Sequence, residues 1–88
     1  MNPLLSIIVL THNNPDDLWT LYKSILRQNY NLKAVEIIVV DNGSNPFALE
    51  KIKEILREGE PQFMRLVLVI LETNLGVGKG YNEGIRQA

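Results

Sequence analysis

The sequence predicts an α/β fold, namely half of a doubly wound, three-layer domain in which helices cover a parallel sheet. Three nearly continuous apolar runs rich in Val and Ile occupy residues 4–10, 35–40 and 66–71, and such runs are typical of strands buried on both faces. A segment with helical periodicity follows each run, and the connections are short. The order β-α-β-α-β-α predicts two right-handed crossover units, with three parallel strands in the order 3-2-1.

The first helix is predicted from about residue 15 to about residue 29. Asn14 can accept a hydrogen bond from a first-turn amide, and Pro15 suits the first helical position. Two aspartates follow and complement the helix dipole. Apolar residues then recur at spacings of three and four and form one stripe, which comprises Leu18, Leu21, Tyr22, Ile25 and Leu26.

The second helix carries the same kind of signals. Asn45 is its predicted cap and Pro46 its first residue, while Gly59 and Pro61 mark its end. Its apolar face comprises Ala48, Leu49, Ile52, Ile55 and Leu56. After the third strand, a glycine-rich loop over residues 73–80 leads to a third helix with a weaker apolar stripe. That stripe begins with Tyr81, Ile85 and Ala88.

Length and composition restrict the class of protein. Eighty-eight residues form one domain at most, and a formal net charge of -1 supplies no cationic field for nucleic acid or an anionic membrane. The absence of Cys fits a reducing compartment. No apolar run approaches the roughly 20 residues of a spanning helix, and no secretory signal is recognisable. We therefore expect a cytoplasmic protein that does not bind nucleic acid.

Polar residues follow each predicted strand. Residues 11–14 are Thr-His-Asn-Asn, residues 41–45 are Asp-Asn-Gly-Ser-Asn, and residues 73–80 form the glycine-rich loop. In an open parallel sheet, the carboxyl ends of the strands meet helix amino termini, where free amides and a partial positive charge attract ligands. We expect the three loops to converge on one edge of the sheet and to form a binding site there.

Single residues in these loops also have purely structural interpretations. Asn14 and Asn45 are adequately explained as helix caps, and Asn74 as a turn residue. Asp41 differs, because a carboxylate that closes a buried strand must be solvated at the rim or paired with donors. A ribose hydroxyl, a base N–H or a loop amide would serve. His12 is the only histidine, which favours a positioning or packing role over metal binding.

The glycine-rich loop permits two interpretations. It contains Gly76, Gly78, Lys79 and Gly80. The glycines allow either a close approach of the backbone to a diphosphate, with the Lys as a point charge, or tight packing of strand against helix.

Other nucleotide-binding folds are disfavoured by the positions of the glycines. A dinucleotide fingerprint belongs after the first strand, where no glycine occurs, and the phosphate-loop pattern fails because a glycine follows the Lys. A receiver domain would need an acidic cluster after the first strand, and a flavodoxin-like domain a Ser/Thr-rich phosphate loop there. This chain has neither, so both folds are disfavoured.

Three segments in order resemble the family 2 glycosyltransferases, which have the Rossmann-like GT-A fold of nucleotide-diphospho-sugar transferases. They are residues 6–13 (SIIVLTHN), residues 36–44 (EIIVVDNGS), and Asn74-Leu75-Gly76 with Asn82-Glu83-Gly84-Ile85. Each segment alone is degenerate, but three in order at these separations, each on the loop that the fold requires, are fairly specific. The resemblance spans almost the whole chain.

The resemblance implies an inverting transferase that takes a sugar from a nucleoside-diphosphate donor, commonly with UDP, dTDP or GDP, to an unidentified acceptor. It implies that Thr11 and Asn13 line the base pocket, with Asp41 or Asn42 near base and ribose. The chain departs from the commoner pattern at Asn42, where a second Asp is frequent, and at Tyr81, where Arg is frequent. The residues expected to bind the nucleotide sugar are Thr11, His12, Asn13, Asp41, Asn42, Asn74, Gly76, Lys79 and Asn82.

In that family, a fourth strand carries an Asp-x-Asp-type motif that holds Mg or Mn on the diphosphate, and a later carboxylate acts as general base. The chain ends at Ala88, before these segments, so we expect residues 1–88 to be a truncated N-terminal part that is inactive alone. The full-length enzyme is expected in the cytoplasm or at the inner face of the membrane. The alternative is a non-catalytic module that binds nucleotide or forms a homodimer through its open sheet edge.

Overall fold

A computed structural model describes residues 3–88. Its elements are β1 (Leu5–Thr11), α1 (Pro15–Leu26), a 3₁₀ helix (Leu32–Ala34), β2 (Val35–Asn42), α2 (Pro46–Gly59), a second 3₁₀ helix (Glu60–Gln62), β3 (Arg65–Leu71) and α3 (Val77–Gln87). The strands are all parallel, with β2 in the centre between β1 and β3. The predicted α/β class, the order of elements and the order of strands are confirmed.

The predicted caps determine where two helices begin. The Oδ1 atoms of Asn14 and Asn45 accept hydrogen bonds from first-turn amides at 3.2 and 2.8 Å, as expected for N-caps. Helix α1 ends at Leu26, earlier than the predicted residue 29. The backbone N–H of Gln28 donates to the carbonyl of Ile25, which tightens the last turn and stops the helix. Within residues 3–88, no helix combines the length and hydropathy needed to cross a bilayer.

The core lies between the sheet and helices α1 and α2. Side chains alternate along a strand, so every second residue of β2, including Ile37 and Val39, faces this layer. Tyr22 of α1 and Ile52 of α2 are fully buried there. The hydroxyl of Tyr22 donates to the carbonyl of Leu56 in α2 at 2.9 Å. This hydrogen bond satisfies the polar end of a core side chain and joins the two helices.

Helix α3 lies on the opposite face of the sheet and packs against it through glycines. A Cβ atom at Gly80 would lie 2.6 Å from Cδ1 of Leu10, and one at Gly84 would lie 2.6 Å from Cγ2 of Ile8. The helix backbone therefore approaches β1 too closely to admit a side chain at these two positions. The sequence left two interpretations of the loop glycines, approach to a diphosphate or tight packing of helix against strand. Gly80 makes the tight packing contact.

The predicted apolar stripe of α3 does not face the sheet. Tyr81 is 41% exposed and Ile85 57% exposed, and Ala88 is exposed as well.

Burial differs among the strands: all eight residues of β2 are buried, whereas β1 and β3 include exposed residues. The expectation of burial on both faces is therefore correct for β2 and wrong for the outer strands. Each outer strand pairs with β2 alone among the described residues.

A buried carboxylate joins the elements at the amino end of the sheet. Glu36 in β2 accepts hydrogen bonds from Oγ of Ser6 at 2.6 Å and from the guanidinium of Arg65 at 3.0 Å. The same guanidinium nitrogen donates to the backbone oxygen of Gln87 in α3 at 3.1 Å. The last turn of α3 is thereby fixed at the amino end, so the first turn of α3 lies towards the carboxyl edge.

Candidate functional site

Hydrogen bonds join the first two loops at the carboxyl edge of the sheet. His12 follows β1, and its Nδ1 atom lies 2.8 Å from the backbone oxygen of Asn42 at the end of β2. The backbone N–H of Asn13 donates to Oγ of Ser44 at 2.8 Å. The two loops therefore meet, as expected from the parallel arrangement of the strands.

Asn13 connects the first loop to the start of α2. Its φ angle of 51° lies in the left-handed region, which asparagine tolerates better than most residues. Its Oδ1 atom accepts a hydrogen bond from the backbone N–H of Asn45, the α2 cap, at 2.8 Å. Its Nδ2 atom lies 3.2 Å from Nε2 of His12. The side chain of Asn13 thus makes contacts in two directions, although it is exposed.

Asn42 connects the second loop to the third. Its side chain accepts a hydrogen bond from the backbone N–H of Leu75 at 2.9 Å and donates to the carbonyl of Gly76 at 3.2 Å. The residue is 2% exposed. Both ends of its amide are therefore committed to the glycine-rich loop. The structural contribution of Asn42 was not visible in the sequence, because its partners are backbone groups more than 30 positions away.

Thr11 and Asp41 lie side by side at the ends of β1 and β2, where they are partners in the strand register. Both are buried, and Asp41 is fully so. The Oδ2 atom of Asp41 accepts a hydrogen bond from the backbone N–H of Ser44 at 3.3 Å. Its Oδ1 atom has no hydrogen-bond partner in the part of the chain that the structure describes. A buried acceptor without a partner is costly, which makes this atom a candidate for contact with a ligand.

Close backbone contacts bring the second and third loops together. Gly43 has a φ angle of +78°, and a Cβ atom there would lie 2.5 Å from the backbone of Thr73 and of Asn74. The side chain of Asn74 accepts a hydrogen bond from the backbone N–H of Gly76 at 2.7 Å. Asn74 therefore has the turn role that its residue type permits. Gly76 has a φ angle of +85°, so its glycine identity also follows from backbone geometry.

The amino terminus of α3 differs from those of the other two helices. Gly76 occupies the cap position and gives no side-chain hydrogen bond, so the first amides of α3 have no side-chain cap. Lys79 and Asn82 follow in the first two turns, and both are exposed. Their side chains make no hydrogen bond to any other residue within the described range.

A cavity of about 250 Å³ opens beside the first loop. Its lining comprises Val9, Leu10, Thr11, His12, Asn14, Asp17, Leu18 and Leu21. The cavity therefore includes two of the predicted site residues, Thr11 and His12. Asp41 and Gly76 do not line it, although their loops are joined to the first loop. Among the residues of the described range, no group of three or more His, Asp or Glu side chains could hold a metal ion.

Sequence and structure comparisons identify similar proteins. Residues 6–88 match the family model described as glycosyl transferase family 2. Glycosyltransferase AglE of Haloferax volcanii is 28% identical over 86 residues, which cover 98% of this chain and 27% of that protein. A mannosyltransferase from Pyrobaculum calidifontis, solved in complex with GDP-Man and Mn²⁺, superposes with a TM-score of 0.85 at 25% identity. The match covers all of this chain and 25% of that structure, so the chain spans about a quarter of the length of these relatives.

Proposed function

Because the chain belongs to glycosyl transferase family 2, we propose that it forms the nucleotide-binding part of an enzyme that transfers a hexosyl group from a nucleoside-diphosphate sugar to an acceptor. One observation carries this proposal: three polar loops, joined by hydrogen bonds, meet the uncapped amino terminus of α3 at one edge of the sheet. Such an edge combines hydrogen-bonding groups for a nucleoside with amides for a diphosphate.

The proposed position of the diphosphate is the amino terminus of α3. Asparagine side chains cap α1 and α2, whereas Gly76 before α3 supplies no side chain. Uncapped first-turn amides, together with the helix dipole, attract an anion. Lys79 in the first turn adds a positive charge, and Asn82 one turn later adds an amide. In this proposal, Asn42 supports the diphosphate site indirectly, since its amide holds the backbone of Leu75 and Gly76.

The proposed position of the nucleoside lies between the first and second loops. Thr11 borders the cavity beside β1, and Asp41 is its neighbour in the strand register. A base N–H or a ribose hydroxyl that reached Oδ1 of Asp41 would satisfy an acceptor that has no partner among the described residues. Asn13 and His12 complete this side of the site, and Asn74 shapes the loop opposite.

GDP-sugars are the first donors to test, because the mannosyltransferase of similar fold was solved with GDP-Man and Mn²⁺. UDP-sugars and dTDP-sugars are the next candidates. Residues 3–88 contain no cluster of His, Asp or Glu side chains that could hold a metal ion. We propose that the ligands of Mg or Mn, and the carboxylate that acts as general base, belong to further segments of a longer enzyme.

The topology supports a place for such segments beside β1. Helices α1 and α2 cover one face of the sheet and α3 covers the other. Right-handed crossovers on the first face extend the sheet from β1 to β3, and a right-handed crossover through α3 would return the chain to the free edge of β1. A fourth strand at that edge would end next to Thr11 and would complete the cleft.

The proposal is tested by NMR titration of the 88-residue chain with GDP, UDP and dTDP. We expect a diphosphate of one base to shift the amide signals of residues 11–13, 41–44 and 76–79, with a dissociation constant on the order of 1 mM, since a partial site binds weakly. The matching nucleoside is the control, and it should leave residues 76–79 unchanged. Chemical-shift changes confined to other surfaces would contradict the proposal. So would the absence of any change at about 10 mM of every nucleotide, roughly 10 times the expected dissociation constant.

A second candidate is association of two copies through the free edge of β1. Its support is that β1 pairs with β2 alone among the described residues and that Leu5 on this strand is exposed. Light scattering distinguishes the two functions. A stable dimer that no nucleotide perturbs would favour association, whereas a monomer with nucleotide-dependent shifts would favour the nucleotide site.

A further inference from the structure

The imidazole of His12 lies between an acceptor and a donor. Its Nδ1 atom is 2.8 Å from the backbone oxygen of Asn42, and its Nε2 atom is 3.2 Å from Nδ2 of Asn13. A carbonyl oxygen only accepts hydrogen bonds, so the contact with Asn42 requires a proton on Nδ1. An amide NH₂ group only donates, so the contact with Asn13 requires an unprotonated Nε2. One tautomer of the neutral ring satisfies both contacts.

The orientation of the Asn13 amide is fixed by a separate contact. Its Oδ1 atom accepts a hydrogen bond from the backbone N–H of Asn45 at 2.8 Å. If the oxygen and nitrogen of this amide were exchanged, an NH₂ group would face that N–H, and two donors would oppose each other. The backbone of Asn45 therefore selects the orientation of Asn13, and Asn13 in turn selects the tautomer of His12.

We propose that His12 is a positioning residue which, as the Nδ1–H tautomer, holds the Asn13 amide so that it presents a hydrogen-bond donor to the ligand. The oxygen of this amide is engaged by Asn45, and one of its two N–H groups is engaged by His12. The second N–H group is left for a ligand. This inference rests on the proposed nucleotide site, and it gives Asn13 a specificity: it recognises an acceptor atom, such as a base carbonyl or a ribose or phosphate oxygen.

The same network assigns no direct ligand contact to His12 itself. Both ring nitrogens are engaged by protein groups, and the bonds run from the end of β2 through the ring and Asn13 to the cap of α2. Loss of the ring would leave the Asn13 amide with one fixed end. The Asn13 side chain would then rotate more freely in the free protein. Binding would have to immobilise this side chain, and the lost conformational entropy would weaken the affinity for the ligand.

The first test is the tautomer of His12, measured by long-range ¹H–¹⁵N correlation on the 88-residue chain without an affinity tag. His12 is the only histidine, so the spectrum contains one ring. At about pH 8.5, above the range in which imidazoles ordinarily titrate, we expect a protonated Nδ1 and an unprotonated Nε2. A proton on Nε2 instead would overturn the inference. This measurement needs no nucleotide, so its outcome is independent of the proposed function.

The second test uses two variants. Asn13→Asp keeps an acceptor for Asn45 but replaces the NH₂ group by an oxygen, so no donor remains for a ligand, and we expect it to weaken nucleotide binding by about 3- to 10-fold. His12→Asn keeps a donor for the Asn42 carbonyl but removes the acceptor for Asn13, and we expect it to weaken nucleotide binding by about 3- to 10-fold. Unchanged affinity in either variant would overturn the inference. If the wild-type chain binds no nucleotide, the proposed function fails and the tautomer alone decides the inference.

Discussion

The side chain of Asn42 donates a hydrogen bond to the backbone oxygen of Gly76 at 3.2 Å, which ties the end of the central strand to the start of α3. The same amide accepts from the backbone of Leu75 at 2.9 Å. A buried asparagine therefore sets the distance between the second and third loops. The position of the proposed diphosphate site relative to the nucleoside site depends on this side chain and on the close approach of Gly43 to the backbone of Thr73 and Asn74.

Removal of the Asn42 amide should loosen the third loop. We expect Asn42→Ala to lower the free energy of unfolding by about 1–3 kcal/mol, because it removes the two hydrogen bonds that a buried side chain makes to the third loop. Asn42→Asp keeps the acceptor for Leu75 but turns a buried carboxylate oxygen towards the carbonyl of Gly76, so its loss should be at least as large. Urea unfolding measures both. Asn82→Ala, at an exposed position of α3, is the control and should change stability by less than about 0.5 kcal/mol; equal losses at the two positions would contradict the role of Asn42.

Two glycines of α3 should respond to the same substitution in opposite directions. A Cβ atom at Gly84 would lie 2.6 Å from Cγ2 of Ile8 and 3.0 Å from Cγ2 of Val40, so Gly84→Ala should destabilise the fold by about 1–3 kcal/mol through overpacking. Gly78 has no atom within 4 Å of its Cβ position. Gly78→Ala should therefore be neutral or stabilising by up to about 1 kcal/mol. Thermal unfolding of both variants is the measurement, and a stabilised Gly84→Ala would show that α3 does not pack this closely.

The two partners of the ion pair between Glu36 and Arg65 should not be equivalent, because only the carboxylate is buried. Arg65→Ala leaves the carboxylate of Glu36 buried with Ser6 as its remaining side-chain partner, whereas Glu36→Gln leaves a half-exposed guanidinium that water can solvate. We expect the first variant to lose more stability than the second, by roughly 1 kcal/mol or more. Arg86→Ala, which removes an exposed ion pair with Glu83, should cost less than about 0.5 kcal/mol. The reverse order of Arg65→Ala and Glu36→Gln in urea unfolding would disprove this account.

Alkaline pH should destabilise the fold through Tyr22. Burial raises the pKa of the Tyr22 phenol from 10.0 to about 12, and the carboxylate of Glu60 contributes in the same direction. The unfolded chain then releases this proton at lower pH than the folded chain. The contribution of Tyr22 to stability is complete below about pH 10 and is lost as the pH rises towards 12.

Urea unfolding between pH 9 and about 12 measures this effect. Tyr22→Phe should remove this pH dependence and, at neutral pH, should cost about 1 kcal/mol for the lost hydrogen bond to Leu56. Tyr30→Phe changes an exposed ring and should keep the profile of the wild type. A Tyr22→Phe variant with an unaltered alkaline profile would show that other groups are responsible for it.

The resemblance to family 2 glycosyltransferases and the GT-A-like fold, both evident in the sequence, are confirmed by the comparisons. The local signals sufficed for this. The apolar runs fixed the strands, and Asn14 and Asn45 with the prolines after them fixed two helix starts. The contacts of the predicted site residues with a ligand stay predictions. What the structure adds is that Asn42, Asn13 and Asn74 make specific contacts within the protein.

By itself, the sequence determined the α/β class, the parallel order of strands and the gathering of polar loops at one edge, because periodicity, caps and crossover handedness are local or topological properties. The tertiary structure alone decided that α3 turns its glycines, and not Tyr81 and Ile85, towards the sheet. It also decided that His12 lies between the Asn42 carbonyl and the Asn13 amide. These arrangements depend on contacts between residues about 30 positions apart in the sequence. No local pattern of residue types specifies which of these distant residues come into contact.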